Sequence, residues 1–117
     1  KEREELRSGL FKRQIESIVA DAFDRDGRRW AAGTVEVGAD ANALAEAVRE
    51  RPEDIDVLVL ATPAGQLAVG SGPTDADEIV DELTETFGGG GGGTPDVAQA
   101  GGLDAGGTAI VEHLRTQ

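Results

Sequence analysis

The sequence predicts a compact single α/β domain: a mixed β-sheet flanked by helices, with a long amphipathic helix at the N-terminus. Three observations carry this. The run Val57-Leu58-Val59-Leu60 is short and wholly apolar, the pattern of a strand buried on both faces. On either side of it lie stretches whose apolar residues recur at spacings of three and four, the period of amphipathic helices. The length, 117 residues, suffices for one domain with its own core, and no cysteine is present to staple a smaller one.

The elements follow in order. Leu6, Leu10, Phe11, Ile15, Ile18, Val19, Ala22 and Phe23 form one apolar stripe, which predicts a helix over 2–26. Gly9 is its weak point, at roughly 1 kcal/mol against alanine, and Gly27 is expected to stop it. The stripe is close to heptad form through Leu10 or Phe11, then Ile15, Ile18 and Ala22. The helix therefore either packs on its own domain or pairs with a partner helix. In the second case Leu10, Phe11, Ile15 and Ile18 are the expected oligomer interface of a homodimer. Residues 1–28 are accordingly read as a docking or dimerisation helix, and 29–117 as the α/β unit.

Within that unit a strand is predicted over Trp30–Val37. A helix begins at Asp40 or Asn42 and runs to about Arg51, where Pro52 ends it. Asp56–Ala61 is the buried strand. Pro63-Ala64-Gly65-Gln66 is a turn, and Leu67–Val69 returns as the antiparallel partner. Thr74 is the expected cap of a third helix, with Asp75, Asp77 and Glu78 suiting the positive end of its dipole. Ile79, Val80, Leu83 and Phe87 make the buried face of this helix, and Gly88 ends it. A glycine-rich loop is predicted over 88–93, and a last helix over about Gly107–Arg115.

Charge is unevenly spread. The formal net charge is -12. Residues 1–30 hold eight of the eleven basic residues, including Arg28 and Arg29, whereas the remaining 87 residues hold sixteen acids and three basics. Over most of the surface, bulk attraction to phosphate must fail. The basic set Lys1, Arg3, Arg7, Lys12, Arg13, Arg28 and Arg29 either meets RNA or pairs with Glu2, Glu4, Glu5 and Glu16 along the helix. Nine arginines against two lysines, with apolar patterning kept throughout, favour a salt-adapted acidic surface over disorder.

Function classes fall away on composition. There is no cysteine and a single histidine, His113, so neither a nucleophile–base pair nor a zinc site is expected. Asp75, Asp77, Glu78, Asp81 and Glu82 read as a solvated helix face, and Trp30 as a core residue. No apolar run approaches the roughly 20 residues of a membrane span. No cofactor, metal or membrane partner is expected, and the cytoplasm is the expected location. Because it opens on Lys1 rather than methionine, the chain is expected to be part of a longer protein.

The six consecutive glycines are the informative feature. A flexible linker at Gly88–Gly93 would cut the domain into pieces too small to fold, so an ordered loop that lets backbone approach a ligand is expected. No Gly-Lys-Ser/Thr follows, which excludes a P-loop, and the run follows a helix rather than a strand, which excludes a dinucleotide fingerprint.

The stretch Gly88–Gly93 followed by Thr94-Pro95-Asp96-Val97-Ala98-Gln99-Ala100-Gly101-Gly102 resembles the signature of the DHHA1 domain. The version it is most similar to stands at the C-terminus of alanyl-tRNA synthetases and of long free-standing alanyl-tRNA editing proteins; Ala98-Gln99-Ala100-Gly101-Gly102 is the discriminating part. The resemblance covers roughly 30–117. It implies a non-catalytic module that helps hold transfer RNA for alanine beside the rest of a larger protein. The contact residues it implies are Gly88, Gly89, Gly91, Gly92, Gly93, Pro95, Gln99, Gly101 and Gly102, to which the basic pair Arg28 and Arg29 is added on charge. Gln99 offers an amide that both donates and accepts, suited to a base edge or a 2′-hydroxyl. The chain departs from the pattern at Gly90, where the family often has lysine, and at Thr94, where it often has a basic residue. The alternatives are a structural and oligomerisation module of the same protein, or the nucleic-acid-binding part of a DHH-type phosphoesterase.

Overall fold

In a computed structural model, residues 13–25, 27–35, 41–62, 65–72, 75–94, 96–103 and 107–116 are described. Helix α1 covers 13–20, and strands β1 (Phe23–Arg25) and β2 (Arg28–Thr34) follow it. Helix α2 (Ala41–Arg49) leads to strands β3 (Val57–Ala61) and β4 (Leu67–Ser71). Helix α3 (Ala76–Phe87) precedes strands β5 (Gly90–Gly93) and β6 (Val97–Gly101), and helix α4 (Gly107–Thr116) comes last.

The strands form one mixed sheet in the order β1-β2-β3-β4-β6-β5. The apolar run expected to be doubly buried is so: every residue of β3 is buried. It pairs in parallel with β2, across the α2 connection, and antiparallel with β4. Side-chain alternation then divides the core. Val57, Val59 and Ala61 face α3 and α4, where Val80, Leu83, Ile110 and Leu114 are fully buried. Leu58 and Leu60 face the opposite side, where Leu44 and Val48 of α2 lie, with Ile15, Ile18, Val19 and Ala22 packed alongside. Each such fully buried side chain stabilises the fold by roughly 1.5–3 kcal/mol relative to exposure.

Two predicted features are corrected. The N-terminal helix does not reach Asp26. Its last turn tightens, with the Asp21 amide donating to the Ile18 carbonyl and the Ala22 amide to that of Val19, both at 3.2 Å. The chain then extends as β1, pairing Phe23 with Trp30. Gly27, at φ 73°, turns this hairpin rather than ending a helix. The reason is burial: as a strand residue Phe23 packs on the α3–α4 side of the core, which a continuing helix on the other side would deny it. Residues 2–12, including Leu10 and Phe11, lie outside the described residues.

The second correction is at the glycines, where Gly90–Gly93 is a strand rather than a loop. Smaller differences lie at element ends. The residue capping α3 is Asp75, and its side chain makes no capping bond; Thr74 lies outside the described residues. The β2 strand ends at Thr34, although Val35 is still buried and its amide donates to the Ala61 carbonyl at 2.8 Å; Val37 is not among the described residues.

Candidate nucleic-acid interface

Glycine has poor strand propensity, so β5 is held by its neighbours rather than by its own sequence. A tight turn joins it to β6: the Thr94 amide donates to the Val97 carbonyl at 2.9 Å, and the Thr94 hydroxyl accepts from the Val97 amide at 3.2 Å. The register runs Gly90↔Gly101, Gly91↔Ala100, Gly92↔Gln99 and Gly93↔Ala98. An antiparallel ladder alternates hydrogen-bonded and non-hydrogen-bonded pairs. Since Thr94 and Val97 exchange a bond, Gly92–Gln99 and Gly90–Gly101 are the bonded pairs. Gly91 and Gly93 then turn their N–H and C=O groups to the outer edge of the sheet.

Within β5, the same two residues are the ones with no room for a side chain. A Cβ on Gly91 would collide with the Gln99 carbonyl and sit 2.6 Å from the Ala100 Cα, and one on Gly93 would lie 2.5 Å from the Val97 carbonyl. Gly90 and Gly92 meet nothing within 4 Å of the corresponding position. Gly88 and Gly89, at φ 85° and 84°, bring the chain out of α3 into β5.

On β6, Ala98 and Ala100 are buried beneath α3, whereas Val97, Gln99 and Gly101 point to the other face. There α2 covers β3 and β4 and reaches β6, but the elements packed on β5 are β6 and α3. Among the described residues, the face over β5 and the outer half of β6 is therefore open and carries few side chains. A groove of about 270 Å³ runs along it, lined by Leu44, Gln66, Leu67, Gly90, Gln99, Ala100 and Gly101. Of the expected contact residues, the structure thus brings together Gln99, Gly101 and the glycines of β5. Gly102, exposed at φ 69°, adjoins them, and Pro95 lies outside the described residues.

Gln66 was missed by sequence reasoning. It follows the Gly65 turn, with its backbone N–H donating to the Thr62 hydroxyl at 3.2 Å and its backbone carbonyl accepting from the Thr62 N–H at 2.8 Å. Nothing local in the sequence marks it; only the β4–β6 pairing, between segments some thirty residues apart, sets it beside Gln99.

Other expected residues stand elsewhere. Arg28 and Arg29 are exposed at the β1–β2 hairpin, at the opposite edge of the sheet. Five strand spacings, about 24 Å, separate the two edges. The Arg29 amide donates to the Asp56 carboxylate at 2.8 Å, and its guanidinium lies 4.0 Å from Asp24. Ile15 and Ile18 are half-buried against the domain's own core. Trp30 is 2% exposed, with the Arg25 guanidinium 4.7 Å from its ring centre, so no base can stack on it. His113 lies 3.5 Å from Glu82, which also accepts from Arg25 at 3.1 Å, and it meets Phe87 edge-on. Among the described residues no group of three or more His, Asp or Glu side chains is placed to hold a metal ion.

Residues 17–115 match the family model of the DHHA1 domain. The chain belongs to the DHHA1 domain family. This DHHA1 domain is 36% identical over 107 residues to an alanine–tRNA ligase of Dechloromonas aromatica, with 83% of the chain aligned. It is 35% identical over 117 residues to the corresponding ligase of Methylibium petroleiphilum, with 92% of the chain aligned. The chain spans only 12% and 13% of the length of these two relatives. In fold it resembles the C-Ala domain of Aquifex aeolicus alanyl-tRNA synthetase, at a TM-score of 0.65 and 23% identity, covering 82% of this chain and 96% of that one. It also resembles an uncharacterized protein of Helicobacter pylori G27, at a TM-score of 0.54 and 13% identity, covering 93% of this chain and 30% of that one. No helix among the described residues is long and apolar enough to cross a membrane.

Proposed function

We propose that this DHHA1 domain is a non-catalytic, tRNA-holding module of an alanyl-tRNA synthetase or an alanyl-tRNA editing protein, and that RNA lies on the open face of β5 and β6. The observation that carries this is the glycine strand. Its exposed backbone, with the N–H and C=O groups of Gly91 and Gly93 at a free edge, lets a bulky ligand approach main chain without a side chain intervening. Gly88, Gly89 and Gly92 extend that surface, and Gln99, Gly101 and Gly102 continue it across β6 into the chain beyond. Pro95, next to Thr94 in the sequence, is kept as a contact candidate from the family resemblance alone.

Arg28 and Arg29 sit on the opposite edge and give a separate, salt-sensitive contact with phosphate. The likeness to alanine–tRNA ligases over most of the chain supports alanine tRNA and the rest of the parent protein as the partners. Binding of an alanine tRNA transcript to the domain, read by fluorescence anisotropy, tests the reading. Gly92→Glu places a carboxylate in open space on the proposed face, so it is expected to abolish binding while leaving the melting temperature unchanged. A folded domain that leaves the transcript unbound from low to moderate salt overturns the proposal.

A further inference from the structure

Among the described residues, none that lines the groove between Gln66 and Gln99 is charged. Its floor is glycine, its walls are two amides and the apolar side of α2, and it lies on a domain whose net charge is -12. A phosphate placed there would be desolvated without a cation to receive it. The groove instead matches a neutral ligand with hydrogen-bonding edges. At about 270 Å³ it lies just under the roughly 300–1,000 Å³ of pockets that enclose small molecules. It therefore has room for one ring-sized group rather than a run of nucleotides.

The register places the two amides together. Ala68 pairs with Gln99 across β4 and β6. Side chains two apart on a strand share a face, so Gln66, continuing β4 toward its start, stands diagonally from Gln99 on the same side. Diagonal neighbours of this kind are about 7–8 Å apart, within reach of long side chains. Directly across from Gln66, the extended register puts Gly101, whose Cβ position is 4.0 Å from the Gln66 Cγ. Both side-chain amides line the same groove, and an amide of this kind can both donate and accept.

We infer that Gln66 is a second recognition residue, and that with Gln99 it grips the uncharged sugar and base of a single nucleotide, so that this part of RNA binding is nearly independent of salt. The inference rests on the tRNA-binding reading above. It separates two contributions: a neutral grip at the β5–β6 face, and a counterion-releasing contact at Arg28 and Arg29.

The test uses the full chain and an alanine tRNA transcript, with affinities measured at about 0.1 M and about 0.3 M salt. Gln66→Met keeps the length of the side chain and removes its amide. It is expected to weaken binding by roughly two- to tenfold, by the same factor at both salt concentrations, with an unchanged melting temperature. Gln66→Ala should do the same. Arg28→Ala with Arg29→Ala should instead weaken binding mainly at the lower salt. An unaltered affinity of Gln66→Met, or a loss that disappears at the higher salt, overturns the inference while leaving tRNA binding in place. Absence of any binding by the unsubstituted domain overturns both.

Discussion

At the β1 edge of the sheet, side chains close the surface. Arg25 lies across Trp30 and bonds Glu82, Arg115 reaches Asp21 at 2.6 Å and covers Phe23, and Asp24 stands near Arg29. At the β5 edge no strand residue has a side chain at all: Gly90–Gly93 is exposed throughout. Among the described residues, cations therefore gather where the backbone is covered, and the backbone is accessible on a strand that carries no side chains. On the proposed tRNA-binding reading, this division gives two chemically different contacts, one long-ranged and weakened by salt, the other short-ranged and dependent on close fit.

The comparison can be broken at either edge. The largest effect is expected from Trp30→Ala, which empties the centre of the β1 side. A loss of about 3–5 kcal/mol is expected, measurable by chemical denaturation. Next comes Gly91→Ala, which drives a methyl group into the β6 backbone; about 1–3 kcal/mol should be lost, together with tRNA binding. If Gly91→Ala proves neutral, β5 is not held as closely against β6 as the register requires. The pair Arg28→Ala and Arg29→Ala should leave stability unchanged and reduce the slope of log affinity against log salt by about 2. An undiminished slope would place the phosphate contacts elsewhere. The smallest effect is expected from Gly90→Ala, whose Cβ meets only open space. Stability should shift by no more than about 0.5 kcal/mol, while the methyl group narrows the groove and lowers affinity.

The two edges also differ in how far the sequence discloses them. The centre was readable because Val57–Leu60 leaves no polar residue to face water, and because Ile79, Val80 and Leu83 repeat at helical spacing. The β1 strand was hidden by its own apolar residue. Phe23 stands four after Val19 and so fits the helical stripe equally well; tertiary burial against α4 decides for a strand. The β5 strand was hidden for the opposite reason. Four glycines carry no pattern of either period, and their conformation comes from pairing with β6. The resemblance to DHHA1 domains rests on this segment, Gln99 included, but does not disclose its secondary structure. Gln66 was invisible because its position depends on which strands become neighbours.

The interleaved strand order has one more consequence. Since β6 lies between β4 and β5, the glycine strand can detach, together with its turn, without disturbing any pairing among β1, β2, β3 and β4. It is the natural first segment to open in local fluctuations. Opening of the strand should therefore be read in amide exchange at Gly90 and Gly92, which bond β6, whereas Gly91 and Gly93, facing the outer edge, exchange without it. A ligand bonded to the Gly91 and Gly93 groups would both hold the strand in place and cover those N–H groups, so occupancy of the face becomes readable as protection of two glycine amides.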